Sequence, residues 1–331
     1  MRSIIAPFVV APPVGARVRT RLRPSQQDAA VLGLVAEHLG GLASGDLARR
    51  CVAGPGADGR TGRKRALTPV SSSRWAGAIT RTSNNQWLRG YRNLLDARAR
   101  LCRAIKAIER RLAVPVAERR GGTRGYASRQ ERYAKQQRLQ HLRASLAGAE
   151  RRLAEGKVSV CRGGRRLAKA RHHLEDAGLS EPQWWARWQT ERLFLTADGE
   201  ADKHLGNETI RVHPEEGWLE LKLPRPLAHL ANRLHGRYRL SCPVRFSHRG
   251  EEWAAQVASG AVRYDIQFTP DRGRWYVAAS WRLPAPPEVT VQQAVASGVL
   301  GGGPQRRPSG LLADRSPRQP GRCRRQHPPA A

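Results

Sequence analysis

The residues of this chain best suited to chemistry are arginines, and the chemistry that they suit is the binding of phosphate. Residues 17–23 alternate strictly, so that Arg17, Arg19, Arg21 and Arg23 share one face of a predicted strand. Side chains on one face of a strand repeat about every 6.6 Å, a spacing that lets a row of guanidinium groups follow a phosphate backbone. A solvated edge strand protected by its charges would show the same pattern, and this alternative stays open.

Nine further residues with guanidinium, amide or indole groups are candidate contacts with nucleic acid. They are Arg74, Trp75, Asn84, Asn85, Arg162, Arg165, Arg166, Arg245 and Arg249. The chain carries 59 Lys and Arg against 27 Asp and Glu, a formal net charge of +32. A compact chain with this charge repels itself unless a polyanion neutralises it, and nucleic acid is the obvious polyanion. A GC-rich gene would explain Arg in place of Lys, but not the shortage of acids.

Residues for catalysis or metal binding are not recognisable in the sequence. The five cysteines include no Cys-x-x-Cys pair, so no zinc ribbon is encoded, and scattered cysteines are typical of reduced thiols in a cytosolic protein. Two-metal nucleases need several carboxylates around Mg²⁺, whereas Asp265 lies among basic residues and is interpreted as a salt-bridge partner. No Walker loop, nucleophile elbow or dinucleotide fingerprint occurs. We therefore expect no catalytic residue, metal, cofactor or small-molecule substrate.

A membrane partner is not expected, since no run of about 18 apolar residues occurs. The apolar stretch 4–14 follows Arg2 but is interrupted by Pro7, Pro12 and Pro13, which argues against a signal peptide. Residues 1–16 are interpreted as an N-terminal extension, either an early strand or sequence upstream of a misplaced start codon. The expected location is the cytoplasm, in association with the nucleoid.

Helical periodicity dominates residues 25–155. Ser25 is a predicted N-cap, and the apolar face after it is formed by Val31, Leu32, Leu34, Val35, Leu39 and Leu42. After a basic, Gly-rich loop at 54–64, heptad-spaced Leu and Ile predict helices from about Ser83 to Ala113 and from about Ser128 to Glu155. The flexible loop between them predicts an antiparallel hairpin. The arginines of the hairpin outnumber its acids. This excess favours a surface that faces a polyanion over a charged surface that faces only solvent.

Residues 156–284 change to a period of two. A short strand is predicted at 157–161, and a helix at about 182–192 carries three tryptophans that favour core packing over a base-stacking platform. Alternation across 208–283, with a turn at 270–273, predicts several antiparallel strands, which suggest a small barrel. Beyond Leu283 we expect a linker, a short helix within 289–300 and a disordered tail rich in Gly, Pro and Arg.

The order of these elements, together with several short motifs, resembles the amino-terminal half of TnpB, a transposase-associated family of insertion-sequence-encoded RNA-guided DNA endonucleases. The motifs extend over about residues 17–300, and none is a catalytic signature, so the resemblance depends on the ensemble. They are Val18–Arg23, Ser71–Ile79, Thr82–Trp87, Gly206–Glu208, Tyr238–Ser241, Gly250–Ala255, Tyr264–Ile266 and Gly273–Tyr276.

The resemblance implies an α+β fold with an antiparallel, wedge-like β-barrel, an inserted α-helical hairpin or bundle and a disordered C-terminal tail. Residues 17–24 would be the first wedge strand, 25–155 the helical recognition-like domain, 156–284 the rest of the barrel, and 285–331 the linker and tail. Barrel and helices together would hold a guide-like RNA and a double-stranded DNA target.

In the family a RuvC-like nuclease domain with metal-binding acids and a zinc ribbon follows. Here Gly302–Pro304 stands where the first catalytic Asp is expected, in a Val-Asp-Leu context. One permitted set of codons for residues 302–309 reads Val-Asp-Leu when it is shifted by one base. The hypothesis is that a frameshift near Gly302 produced the tail, so that Mg²⁺ and Zn²⁺ belong only to the missing half. A genuine basic tail is the alternative.

The expected function is therefore the RNA- and DNA-binding portion of a TnpB-like nuclease, truncated before its catalytic domain and not an enzyme as written. Three alternatives stay open: an active nuclease whose acids are unrecognised, a non-functional decayed transposase fragment, and a general structural RNA-binding protein.

Overall fold

The computed structural model describes residues 14–55, 59–284, 290–296, 299–302 and 311–314. The chain divides into two units, Arg17–Trp281 and a second one made of Met1–Ala16 with Arg282–Ala331. The first unit mixes helices with antiparallel strands, in the predicted order of one strand, a run of helices and then most of the strands. The α+β class is confirmed at this level.

The helical part follows a single strand and begins at a serine cap. Its elements are β1 (Gly15–Leu22), α1 (Gln26–Ala53), α2 (Arg60–Leu67), α3 (Ser73–Leu112), β2 (Arg119–Arg120), β3 (Thr123–Arg124), α4 (Arg129–Ala154), α5 (Arg165–Ala170) and α6 (Glu181–Arg192). The Ser25 side chain accepts a hydrogen bond from the Asp28 N–H, and the Asp28 carboxylate accepts one from the Ser25 N–H. This capping box confirms the predicted N-cap.

The first long helix, α3, begins at Ser73 rather than near Ser83. The Ser72 side chain caps it by accepting a hydrogen bond from the Trp75 N–H at 3.2 Å. Trp75 and Ile79 lie one turn apart on the same face, and both are fully buried. The sequence prediction, which began the helix at about Ser83, missed these turns. Helix α2 likewise occupies part of the predicted loop at 54–64, of which residues 56–58 lie outside the described residues.

Helices α3 and α4 form the predicted antiparallel hairpin. Arg143 donates a hydrogen bond to Glu109 at 2.6 Å, and Arg132 donates one to the Val114 carbonyl at 3.0 Å, so the end of α3 lies beside the start of α4. The short β2–β3 ladder lies in the connection between them. The buried residues of the two helices along the hairpin are Leu94, Ile105, Leu139 and Ala149. The hairpin is therefore a thin structure with most of its side chains in solvent.

The later strands form two sheets. The remaining elements of this unit are β4 (Thr196–Ala197), β5 (Ile210–Val212), β6 (Leu219–Lys222), β7 (Arg237–Arg239), α7 (Gly250–Ser259), β8 (Arg263–Thr269) and β9 (Arg274–Arg282). One sheet has the order β1-β9-β8-β4 and the other the order β5-β6-β7. The predicted strands at 262–268 and 275–281 are confirmed, with Tyr264, Val277 and Trp281 buried on one face.

The expected closed barrel is not formed by the strands of the described residues. The fully buried Asn207 side chain connects the two sheets, together with a backbone hydrogen bond from the Val262 N–H to the Gly206 carbonyl at 3.0 Å. Its amide nitrogen donates to the carbonyls of Ala197 and Val262, and its oxygen accepts from the N–H groups of Thr209 and Ile210. A side-chain amide here takes the place of a continuous ladder, because β4 and β5 are too short to extend one.

Three other local predictions were wrong. Residues 157–161 have no regular secondary structure and pair with no described strand, and Val158 and Val160 pack against α3 at Gly90. The alternation through 238–246 holds in burial, yet the regular strand ends at Arg239, and Pro243 lacks an N–H for a ladder. Residues 250–259 form helix α7, for which no helix was predicted.

The second unit contains α8 (Val291–Ala296), within the predicted helical segment, and the strands β10 (Val299–Gly302) and β11 (Leu311–Asp314). These strands pair antiparallel. The predicted helix was therefore wrong for residues 299–300, and the expected disorder beyond Gly301 was wrong for Gly302 and for residues 311–314. The rest of the predicted tail and most of the N-terminal extension lie outside the described residues. Among the described helices, none has both the length and the apolar character needed to cross a membrane.

Candidate nucleic-acid interface

The arginine strand lies on the outer face of the four-stranded sheet. Arg17, Arg19 and Arg21 are exposed on β1. The intervening Val18 and the last residue of the strand, Leu22, are buried. The predicted alternation is therefore confirmed. Arg23 is also exposed, but it follows the last residue of the strand.

An aromatic ring lies beside this row of cations. The Arg19 guanidinium stacks over the Tyr276 ring at 4.1 Å from its centroid. Hydrogen bonds from Arg272 and Arg274 lower the pKa of Tyr276, so three cations surround one half-exposed ring. Arg17 lies 3.8 Å from the Asp265 carboxylate, which confirms Asp265 as an ion-pair partner. A ring among guanidinium groups can stack a nucleobase while its neighbours bind phosphate.

Several predicted contacts are instead used inside the protein. Trp75 is fully buried, and its indole N–H donates to the Lys222 carbonyl at 2.9 Å, so this residue belongs to the core and not to an interface. Arg74 pairs with Glu200 at 2.8 Å. Asn84 accepts a hydrogen bond from Arg50 at 2.9 Å.

Asn85, one residue farther along α3, is exposed. Trp184 is buried as predicted, while Trp185 of the same helix is 41% exposed. The prediction of a tryptophan core in α6 is thus right for Trp184 and wrong for Trp185.

The candidate arginines at 162–166 and at 249 also include some that bind within the protein and some that are exposed. Arg162 donates to the carbonyls of Arg192 and Leu193, and burial together with the nearby Arg192 charge lowers its pKa to about 10. Arg165 and Arg166 are exposed and form no ion pair with the described residues. Arg249 makes a bidentate ion pair with Glu252, and its guanidinium lies 5.8 Å from the centroid of the Trp281 ring.

Arg245 is exposed and forms no ion pair within the described part of the chain. The candidate residues thus lie in separate groups: Arg17, Arg19 and Arg21 share the sheet face, Arg162 and Arg165 border one cleft, and Arg74 and Arg249 are held by acids. The sequence prediction missed Tyr276, although the alternation of β9 places it opposite the buried Trp275 and on the side of the arginine row.

The hairpin presents the largest group of uncompensated cations. Residues 89–157 contain nineteen Lys and Arg against six Asp and Glu. Three of these acids already pair with cations within the hairpin: Glu109, Glu118 and Glu155. The exposed cations that form no ion pair or side-chain hydrogen bond within the described residues are Arg89, Arg92, Arg98, Arg100, Arg103, Lys106, Arg110, Arg119, Arg124, Arg129, Arg138, Arg151 and Arg152. This surface therefore carries a large positive charge that the described part of the chain does not compensate, and a polyanion could neutralise it.

Carboxylates do not gather into a metal site in the described part of the chain, where no group of three or more His, Cys, Asp and Glu side chains could hold an ion. No protein-family model matches the chain, and no curated protein matches it either.

Proposed function

We propose that this chain is a nucleic-acid-binding protein that grips an RNA backbone with the cations of the α3–α4 hairpin. The single observation that carries the proposal is the set of exposed hairpin cations without acidic partners. Each phosphate that such a cation neutralises releases a counterion, which drives binding at low salt. The sheet face with Arg19 and Tyr276 adds a place where a base could stack.

The finer proposal is that this chain is the RNA- and DNA-binding portion of a TnpB-like RNA-guided nuclease. Its supports are the order of strand, helical hairpin and strands, and the structural use of the Gly206–Glu208 motif, where Asn207 joins the two sheets. In this proposal the two sheets correspond to the wedge-like domain and the helices to the recognition domain. The partners would be a guide-like RNA and a double-stranded DNA target.

Salt dependence of RNA binding tests the general proposal. We would replace three uncompensated hairpin arginines (Arg98, Arg100 and Arg103) by Ala and measure the affinity for a structured RNA between 50 and 300 mM salt. The slope of log K against log salt should become shallower by about 2 to 3, since each lost phosphate contact removes roughly 0.7 to 0.9.

The matched control replaces three exposed arginines that already hold acids. Arg74, Arg81 and Arg187 are 47%, 51% and 44% exposed and pair with Glu200, Asp198 and Asp271. Their replacement should change the slope by less than one. Equal slopes for the two variants would contradict the hairpin as an interface and leave only a general effect of net charge.

The finer proposal is tested by the RNA that copurifies with the full chain from its host. Enrichment of transcripts from a transposon end supports a guide-binding role. RNA recovered in proportion to its cellular abundance would instead indicate a general structural RNA-binding protein.

A decayed fragment that does not fold is the remaining alternative, and core packing argues against it. Trp275 and Trp281 are only 8% and 7% exposed, and Tyr264 and Val277 are fully buried beside them. A protease-resistant fragment of about residues 16–284 is therefore expected. Rapid digestion throughout this range would support decay.

A further inference from the structure

A basic cleft lies where the base of the hairpin meets the segment that leaves it. The cleft has a volume of about 650 Å³ and is lined by α3, by the end of α4 and by residues 157–165. Its cationic lining residues are Arg89, Arg152, Lys157, Arg162 and Arg165, and its acidic one is Glu191. Lys157 pairs with Glu155, but Arg89, Arg152 and Arg165 form no ion pair within the described residues. The cleft is thus strongly positive and open to an anion.

Residues 157–161, which have no regular secondary structure, line the cleft and include unused backbone groups. Val158 and Val160 lie so close to α3 that a Cβ on Gly90 would be 2.4 and 2.5 Å from their methyl carbons. No described strand pairs with these residues. The N–H groups of Ser159 and Cys161 accordingly find no protein acceptor among the described residues, which leaves donors for a ligand.

The glycine loop that follows allows close approach of a chain. Gly163 and Gly164 have φ values of 87° and 86°, a conformation that favours glycine. A second cavity of about 770 Å³ shares Arg162, Gly163, Gly164 and Glu191 with the first and reaches the end of β8 at Phe268. The glycine loop thus borders both cavities.

Like charges lie close together beside the cleft. Arg162 lines it, and burial together with the nearby Arg192 charge lowers the pKa of Arg162. An anion in the cleft would relieve this repulsion. The cleft is of the size that encloses a small ligand and would not admit a duplex, whose phosphates lie on the outside of a wide rod.

We propose that this cleft binds a single-stranded phosphodiester backbone, with Arg89, Arg152 and Arg165 holding the phosphates and the segment 157–164 supplying backbone donors. The inference rests on the proposed nucleic-acid function and assigns it a separate site for unpaired nucleotides. An acidic peptide would meet the cations but would not reproduce the regular phosphate spacing.

Two charge-matched double variants of the full chain test the site. One is the cleft variant, Arg89→Glu with Arg165→Glu, and the other is the hairpin variant, Arg103→Glu with Arg138→Glu; all four residues are exposed. Fluorescence anisotropy would follow the binding of labelled octauridylate and of a duplex RNA of about 20 base pairs. The cleft variant should lose at least about tenfold in affinity for octauridylate and under threefold for the duplex, and the hairpin variant should show the reverse.

The outcomes separate the two proposals. Equal losses for both variants on both ligands would overturn the cleft and leave the general function standing. A wild-type chain that binds neither RNA would overturn the general function and the cleft with it. Displacement of octauridylate by octaglutamate at the same concentration would also overturn the cleft. Octathymidylate that binds as well as octauridylate supports recognition of the backbone alone, and weaker binding supports an added contact to the 2′-hydroxyl.

A thiol gives a readout that does not depend on charge variants. Cys161 lines the cleft, whereas Cys102 lies on α3 outside it. Saturating octauridylate should slow alkylation of Cys161 at least about fivefold and leave Cys102 unchanged, as measured by mass spectrometry of the two peptides. Unchanged reactivity of Cys161 at saturation would show that the strand binds elsewhere.

Discussion

The helical hairpin and the sheet region treat charge in opposite ways. Residues 89–157 contain nineteen basic and six acidic side chains, while residues 195–281 contain twelve and eleven. In the sheet region the acids form ion pairs, such as Glu208 with Arg211 and Arg237 at 2.8 Å. In the hairpin most cations face solvent alone. Most acids of the sheet region are thus paired within the fold, whereas most cations of the hairpin have no acidic partner in the described part of the chain.

Removal of the Asn207 amide should have the largest effect on stability, because the sheet region depends on hydrogen bonds between buried polar groups. Asn207→Ala leaves the carbonyl of Val262 and the N–H groups of Thr209 and Ile210 without their partners. We expect a loss of about 3 to 5 kcal/mol in the free energy of unfolding, because each buried unsatisfied group costs roughly 1 to 3 kcal/mol. Urea unfolding measures it.

The control for this change is Asn85→Ala, on the exposed side of α3, which should alter stability by less than about 0.5 kcal/mol. An Asn207→Ala protein as stable as the wild type would contradict the view that this side chain replaces a ladder between the sheets.

Asp28 offers a smaller effect that depends on pH. Burial alone would raise its pKa, but hydrogen bonds from Ser241, Tyr238 and Ser25 hold the pKa below its usual value. Because the folded pKa is depressed, this contribution to stability is present above about pH 4 and is lost as the pH falls through the folded pKa. Asp28→Asn should therefore lower the free energy of unfolding by about 1.5 to 3 kcal/mol at pH 7 and by less at pH 3.

Tryptophan fluorescence during urea unfolding at several pH values measures the gap in the free energy of unfolding between the wild type and Asp28→Asn. Asp96→Asn, at an exposed hairpin position, should show no comparable gap at any pH. A gap for Asp28→Asn that stays constant down to pH 2.5 would contradict the role of the ionised carboxylate.

Two helix glycines should respond with opposite signs. A Cβ at Gly148 of α4 would meet nothing within 4 Å, so Gly148→Ala should stabilise the chain by up to about 1 kcal/mol through helix propensity. A Cβ at Gly90 would collide with Val158 and Val160, so Gly90→Ala should destabilise it by about 1 to 2 kcal/mol. Thermal unfolding compares them, and stabilisation by both changes would show that residues 157–161 do not pack firmly on α3.

Much of the helical and strand architecture could be predicted from the sequence where a single period dominates. The Ser25 cap, the heptad hairpin and the two last strands of the main sheet have strong local patterns. The start of α3 could not, because its burial depends on distant partners such as Lys222. The failure of the barrel follows from Asn207, whose contacts join segments far apart in sequence.

The site was less predictable, because an arginine's role depends on its neighbours. Arg19 and Arg74 look alike in sequence, but one stacks on Tyr276 and the other is held by Glu200. The cleft at Cys161 was hidden for the same reason, since its cations come from helices and loops separated by many residues. Charge counts locate the basic region, whereas only the fold distinguishes free cations from paired ones.

The smallest expected effect is on RNA affinity, and it distinguishes stacking of a base on Tyr276 from binding by charge. If the sheet face binds a base through Tyr276, Tyr276→Ala should weaken RNA binding by about 1 kcal/mol, because stacking on an aromatic ring contributes roughly that much per base. The salt slope should stay the same, since no phosphate contact is lost. Tyr276→Phe should retain most of the affinity, as it removes only the hydroxyl bound by Arg272 and Arg274.

Tyr133 provides the hairpin counterpart for this test. It is 63% exposed on α4, so its replacement by Ala should leave affinity unchanged if the hairpin acts through charge alone. Affinity measured at three salt concentrations for all three variants separates the two regions. A lower salt slope for Tyr276→Ala would mean that the change removes a phosphate contact, and an equal loss for Tyr133→Ala would mean that ring contacts are not confined to the sheet face.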